Sequence, residues 1–142
     1  MAMTVHCDIV SSEESVFSGL IVSLTATGAE GELGVQYGHA ALLTPLMPGP
    51  VELVTQGGER EVIFVRGGFL EVQPNHITIL ADTAMRAEDL DSAAAEQARK
   101  EALQNIENQA GEMEYGRASS ELAEAAAQLM TLQKMRKKLG GD

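Results

Sequence analysis

At 142 residues, 44% of them hydrophobic and 22% charged, the chain fits one medium domain or two small ones and can bury a core, which excludes a disordered tail. Its longest apolar runs fall well short of the about eighteen residues a bilayer-spanning helix needs, and Met1 to Thr4 lacks the basic and apolar regions of a leader, so a soluble, unexported protein is expected. Twenty-one acidic residues against ten basic ones give a net charge of -11, a surface that repels phosphate backbones and anionic lipid, so neither nucleic acid nor direct lipid insertion is expected.

Alternating apolar residues predict short strands at Thr4 to Val10, Leu20 to Ala26, Val51 to Thr55, Glu61 to Val65, Phe69 to Gln73 and His76 to Leu80. The lone cysteine, Cys7, can form no internal disulfide, which fits a reducing compartment. Gln56-Gly57-Gly58-Glu59 and Gln73-Pro74-Asn75-His76 carry the residues of tight turns, so each should join neighbouring strands as a hairpin. Gly28-Ala29-Glu30-Gly31-Glu32-Leu33-Gly34 has the glycines of a phosphate loop but the wrong chemistry. It presents two carboxylates and leads into strand-like residues, so it reads as a turn with Glu30 and Glu32 at its tip. Many short strands with no helix between them imply an all-β sandwich or flattened barrel.

After Thr83 the composition changes. Every proline and valine lies before residue 75, and ten of the fourteen glycines before residue 69, whereas from Ala84 onward Ala, Glu, Gln, Leu, Lys and Arg dominate. The seam divides a β unit, residues 1–87, from a helical unit, residues 88–142. Asp91 or Asp89 can cap a first helix running toward Ile106, with Ala94, Ala95, Ala98, Ala102, Leu103 and Ile106 on or near one face. After a break at Asn108 to Glu112, Tyr115, Ala118, Leu122, Ala125, Leu129, Leu132, Met135 and Leu139 mark the face of a second helix, ended by Gly140-Gly141. A short link predicts an antiparallel α-helical hairpin. At ~25 cal/mol per Å², an alanine methyl contributes about a third of what a leucine does, so an alanine seam should open at little cost compared with melting a helix; a two-state element and a plain short coiled-coil appendage both fit the pattern.

Few residues carry chemistry. His6, His39 and His76 are far apart and no pair has metal-ligand spacing; His6 and Cys7, adjacent in a strand, point to opposite faces, so no metal site is expected. No nucleophile, acid and base form a pattern, so catalysis is not expected. Lys134, Arg136, Lys137 and Lys138 end an otherwise acidic chain. Four cations in five residues exceed what a helix C-terminus needs, which points to an acidic partner surface.

Several blocks stand in the order of a known family. Gly31-Glu32-Leu33-Gly34, Gly38-His39-Ala40, Leu42-Leu43-Thr44 and Pro48-Gly49 are followed by Gly67-Gly68-Phe69-Leu70-Glu71-Val72, Leu80-Ala81-Asp82-Thr83-Ala84 and Leu90-Asp91. Over nearly its whole length the chain resembles the epsilon subunit of bacterial F-type ATP synthase. The resemblance implies a non-catalytic rotor subunit on the cytoplasmic side of the bacterial inner membrane. Its sandwich would dock on the gamma subunit and the c-ring, with Glu30, Gly31, Glu32 and His39 toward the c-ring. Its helices would open and inhibit ATP hydrolysis, Lys134, Arg136, Lys137, Lys138 and Arg117 meeting the alpha and beta subunits. Some members bind ATP through a pattern of Ile or Leu, Asp, two variable residues, Arg and Ala. Here Leu90-Asp91-Ser92-Ala93-Ala94-Ala95 has alanine in place of the arginine, so the resemblance implies weak or absent ATP binding at Leu90 and Asp91, and no cofactor. A module whose hairpin is held folded by ATP is the alternative reading.

Overall fold

The computed structural model describes residues 3–12, 14–108 and 112–138. Among these, nine strands come first: β1 (Val5–Ser11), β2 (Ser15–Gly28), β3 (Gly31–Gln36), β4 (Leu42–Leu46), β5 (Gly49–Thr55), β6 (Arg60–Val65), β7 (Gly68–Gln73), β8 (His76–Ala81) and β9 (Ala84–Arg86). A short 3-10 helix, Ala87–Asp89, leads to α1 (Ser92–Asn108) and α2 (Glu112–Lys138). The architecture is the expected all-β sandwich followed by a helical hairpin.

The strands follow the order β1-β8-β7-β4-β2-β5-β6-β9, with β3 alongside β2. The long strand β2 joins the two layers. Its first half pairs with β1, its middle with β5 and its end with β3, so the sheet folds over on itself. Alternate side chains of the strands, among them Ile9, Ile21, Leu24, Leu53, Leu70 and Ile79, seal the space between the layers. Both expected turns form: Gly58 takes a φ of 86° between β5 and β6, and Pro74-Asn75 closes β7 onto β8 at the Gln73–His76 pair.

Three strands lie outside the expected set. β3 contains Gly31 and Gly34, which weaken strand patterning, and β9 lies inside the composition seam. β4 carries Pro45 in mid-strand, normally a sign against a strand. It is tolerated because β4 pairs fully with β7 but touches β2 only at Gly28–Leu46, leaving much of one edge without ladder bonds to lose.

In β6 the alternation disappears: Val62, Ile63, Phe64 and Val65 are all buried. Ile63 and Val65 belong to the core between the layers; Val62 and Phe64 point the other way. Their cover is α2, which packs along β5 and β6. One stripe of α2 is the expected one, with Ala118, Ala125 and Leu132 buried and Leu122, Leu129 and Met135 half-buried toward α1. A second stripe, Glu124, Ala127, Thr131 and Lys134, follows the same spacing of three and four and is pinned to the sandwich at both ends: Glu124 lies 3.9 Å from Arg66, and Lys134 donates to Glu52 at 2.9 Å. Thr131 is fully buried, its hydroxyl satisfied by the Ala127 carbonyl at 2.7 Å.

On α1 the buried line is narrower than expected. Ala95 and Ala102 are buried and Ile106 half-buried, but Ala94, Ala98 and Leu103 face solvent. The helical repeat of 3.6 residues rotates those three off the contact once α1 meets a single neighbour. Tyr115, whose side chain is not described, and Leu139 lie outside the described set.

Candidate functional site

Residues directly opposite one another in a sheet share a face, so the registers of β4, β7, β8 and β1 define the outer surface of that layer. One row across it is Pro45, Phe69, Leu80 and Val10; a second is Leu43, Glu71, Thr78 and Asp8; a third is Gln73, His76 and His6, continuing to Leu20 on β2. Leu43, Phe69 and Leu80 are 66%, 52% and 55% exposed, in contrast to Val62 and Phe64 on the opposite layer, at 4% and 1%. One outer face of the sandwich is thus roofed by α2 and the other carries uncovered apolar side chains.

Glu30, Gly31 and Glu32 sit at the β2–β3 hairpin. The pair Gly28–Gly31 closes a two-residue loop of Ala29 and Glu30, and Gly31 has a φ of 130°, which a side chain rarely adopts. All three residues are exposed. His39 lies beyond the other end of β3, whose span from Glu32 to Gln36 is about 13 Å. Its Nδ1 donates to the Ala40 carbonyl at 2.7 Å. The structure does not bring His39 beside the tip.

The cations do not form one free cluster. Lys134 is held by Glu52, Arg117 lies 3.9 Å from Glu121 one turn along α2, and Arg136 is exposed at the cleft between α1 and α2, near Arg99. The side chains of Lys137 and Lys138 lie outside the described residues. Glu52 also pairs with Arg60. Burial raises the Glu52 carboxyl pKa, but the Lys134 hydrogen bond and the charges of Lys134 and Arg60 outweigh it, so the group titrates below its ordinary value of 4.5. A carboxylate depressed on docking contributes stability above its undocked pKa and loses it as pH falls through the docked one. The share of the depression that Lys134 supplies is gained on docking, so the α2–sandwich contact should loosen as Glu52 is protonated at acid pH. Energy transfer between dyes on α2 and β5 should report this, and Glu52→Gln should flatten the acid dependence.

Asp91 accepts the backbone N–H groups of Ala93 and Ala94 at 2.9 and 3.1 Å, which makes it the cap of α1; Asp89 lies in the 3-10 turn, closed by Leu90 N–H onto the Ala87 carbonyl. The carboxylate of Asp91 already occupies the anion position of the helix N-terminus, where a phosphate would meet like charge. In the nearby cleft, lined in part by Ser92, Gln133 and Arg136, Arg99 is engaged by Glu96.

Strand pairing corrects the reading of the histidines. β1 runs parallel to β8 with His6 opposite His76, a long-range pairing that linear spacing does not disclose. His6 Nε2 lies 3.3 Å from Asp8 Oδ1 and His76 Nε2 lies 3.0 Å from Asp8 Oδ2, and the rings stack with centroids 5.0 Å apart. A hydrogen bond with the Ser18 side chain, working against slight burial and with the two imidazoles, lowers the Asp8 carboxyl below the ordinary aspartate range. Cys7 and His6 point to opposite faces as expected, Cys7 inward; burial, with the Asp8 charge, pushes its thiol up to about 12, which keeps it from acting as a thiolate.

The fold has counterparts. A chain of the mitochondrial ATP synthase of Euglena gracilis, in an assembly described as OSCP/F1/c-ring in rotational state 1, superposes with a TM-score of 0.83 at 22% identity, covering 91% of this chain and 81% of that one. A chain from the central stalk/c-ring structure of the Tetrahymena thermophila mitochondrial ATP synthase gives a TM-score of 0.66 at 18% identity, covering 92% of this chain and 97% of that one. Residues 4–87 match the family described as the ATP synthase delta/epsilon chain beta-sandwich domain, and residues 88–133 match its long alpha-helix domain. With both domains matched in order over most of its length, the chain belongs to the ATP synthase delta/epsilon chain family, a non-catalytic stalk component of that complex.

Proposed function

We propose that this chain links the gamma subunit to the c-ring in the rotor of an F-type ATP synthase on the cytoplasmic side of a bacterial inner membrane, and that its helices restrain ATP hydrolysis when they leave the sandwich. The observation that carries the reading is the asymmetry of the sandwich: α2 covers one apolar outer face, and Leu43, Phe69 and Leu80 leave the other for a partner. Gamma fits that face. The Glu30-Gly31-Glu32 tip, rigid and anionic, suits a basic or amide group on a c-ring loop, and His39, at the far end of β3, would need a separate contact.

The basic end fits a restraint that is off at rest. Lys134 is held by Glu52 on β5, so its contact with acidic surfaces of the alpha and beta subunits requires α2 to leave β5 and β6, whereas Arg117 has only an exposed partner, Glu121, on its own helix and would travel with α2. No helix among the described residues is long and apolar enough to cross a membrane, which accords with a peripheral place. The nucleotide-sensing alternative is disfavoured by Ala94, which stands where the ATP-binding pattern has its arginine.

Co-purification and hydrolysis assays test the proposal together. A chain cut after Ala87 should still join gamma and couple rotation but lose inhibition, whereas Phe69→Lys should abolish the gamma contact. Full suppression of hydrolysis by the truncated chain would refute the restraint, and undiminished gamma binding by the Phe69 variant would refute the docking face.

A further inference from the structure

We propose that His6, Asp8 and His76 form a binding site for one divalent transition ion of the Zn2+ class on the outer face of the sandwich. Their ligand atoms all lie within 4.8 Å of one another. A tetrahedral ion with bonds of about 2.0–2.1 Å holds its ligands about 3.3–3.4 Å apart. His6 Nε2 lies 3.3 Å from Asp8 Oδ1 and His76 Nε2 3.0 Å from Asp8 Oδ2, so each ring is near that spacing from one oxygen of the carboxylate that would bridge them to the ion. The remaining edge, between the imidazoles, closes by ring rotation, for which the partial exposure of both side chains leaves room.

The donor set selects the ion. Two imidazole nitrogens with one carboxylate suit Zn2+, whereas Mg2+ and Ca2+ call for oxygen cages. The scaffold is rigid where it matters: His6 and Asp8 are alternate residues of β1, and the parallel ladder fixes His76 opposite His6. Ser18, opposite Asp8 on β2, shares a hydrogen bond with its carboxyl and orients it from outside the ligand set. Three protein ligands leave the fourth position to water. Because the ligands come from the first strand and the eighth, a bound ion would clip the beginning of the chain to the β7–β8 hairpin.

The test uses the full-length chain, stripped with chelator and titrated with ZnCl2 by calorimetry, alongside imidazole NMR and thermal melting. Expected are saturable uptake of one ion per chain in the micromolar range, perturbation of His6 and His76 but not His39, and a raised melting temperature. His6→Gln and His76→Gln should each weaken binding about tenfold or more. Absence of saturable uptake up to about 1 mM would overturn the site. Uptake that both variants leave unchanged, or that perturbs His39 equally, would also overturn it by revealing scattered binding to surface carboxylates.

Discussion

Replacing Phe64 with alanine should release the helical pair from the sandwich while leaving the sandwich folded. Phe64 is 1% exposed yet stands apart from the core between the layers, and its cover is α2. Truncating a buried phenylalanine costs about 3–5 kcal/mol, and each 1.4 kcal/mol is about a tenfold change in an equilibrium, so the docked population should fall about a hundredfold or more. Spin labels at Glu59 and Gln133, both exposed, should then show a long-distance population absent from the parent chain. Ile63→Ala provides the contrast. One residue away but facing inward, it should lower the stability of the sandwich itself. A Phe64 variant in which sandwich and helices melt together, with no separate undocked state, would contradict the independence of the two faces.

Gly68→Ala should be the most damaging single substitution in the sandwich. Gly68 has a φ of 124°, and a Cβ there would lie 2.0 Å from the Leu80 carbonyl oxygen and 2.8 Å from the Ala81 Cα. Both obstacles are backbone in the paired strand, so relief requires opening the β7–β8 ladder where Gly68 opposes Ala81. We expect a loss above about 4 kcal/mol, in the range reserved for strain and overpacking at special positions. Gly34→Ala is the control: a Cβ there meets nothing within 4 Å, and urea unfolding should show little loss or a slight gain. Equal midpoints for the two variants would show that the clash at Gly68 relaxes without disturbing the ladder.

How much of this is legible in the chain depends on the range of the interactions. The two glycine- and proline-marked turns, the Asp91 cap and the main face of α2 are local or periodic signals, and the structure contains all of them. β4 is illegible because Pro45 breaks its pattern and only the identity of its neighbours makes that proline harmless. The run Val62 to Val65 looks like an ordinary half-buried strand until α2 is placed over it. On α2, Thr131 and Lys134 look like solvent residues because polar side chains conceal the second stripe. The histidine cluster depends on a parallel pairing across about seventy residues of chain, which periodicity cannot register.

Glu52 has a further consequence, for reversibility. It accepts Arg60 from the neighbouring strand as well as Lys134 from α2. When Lys134 departs, Arg60 remains, so no stranded anion is left on the newly wetted surface and the usual penalty for splitting a half-buried ion pair is softened. Were α2 to leave as proposed, the vacated seat would keep its charge balance, which would favour the helix's return.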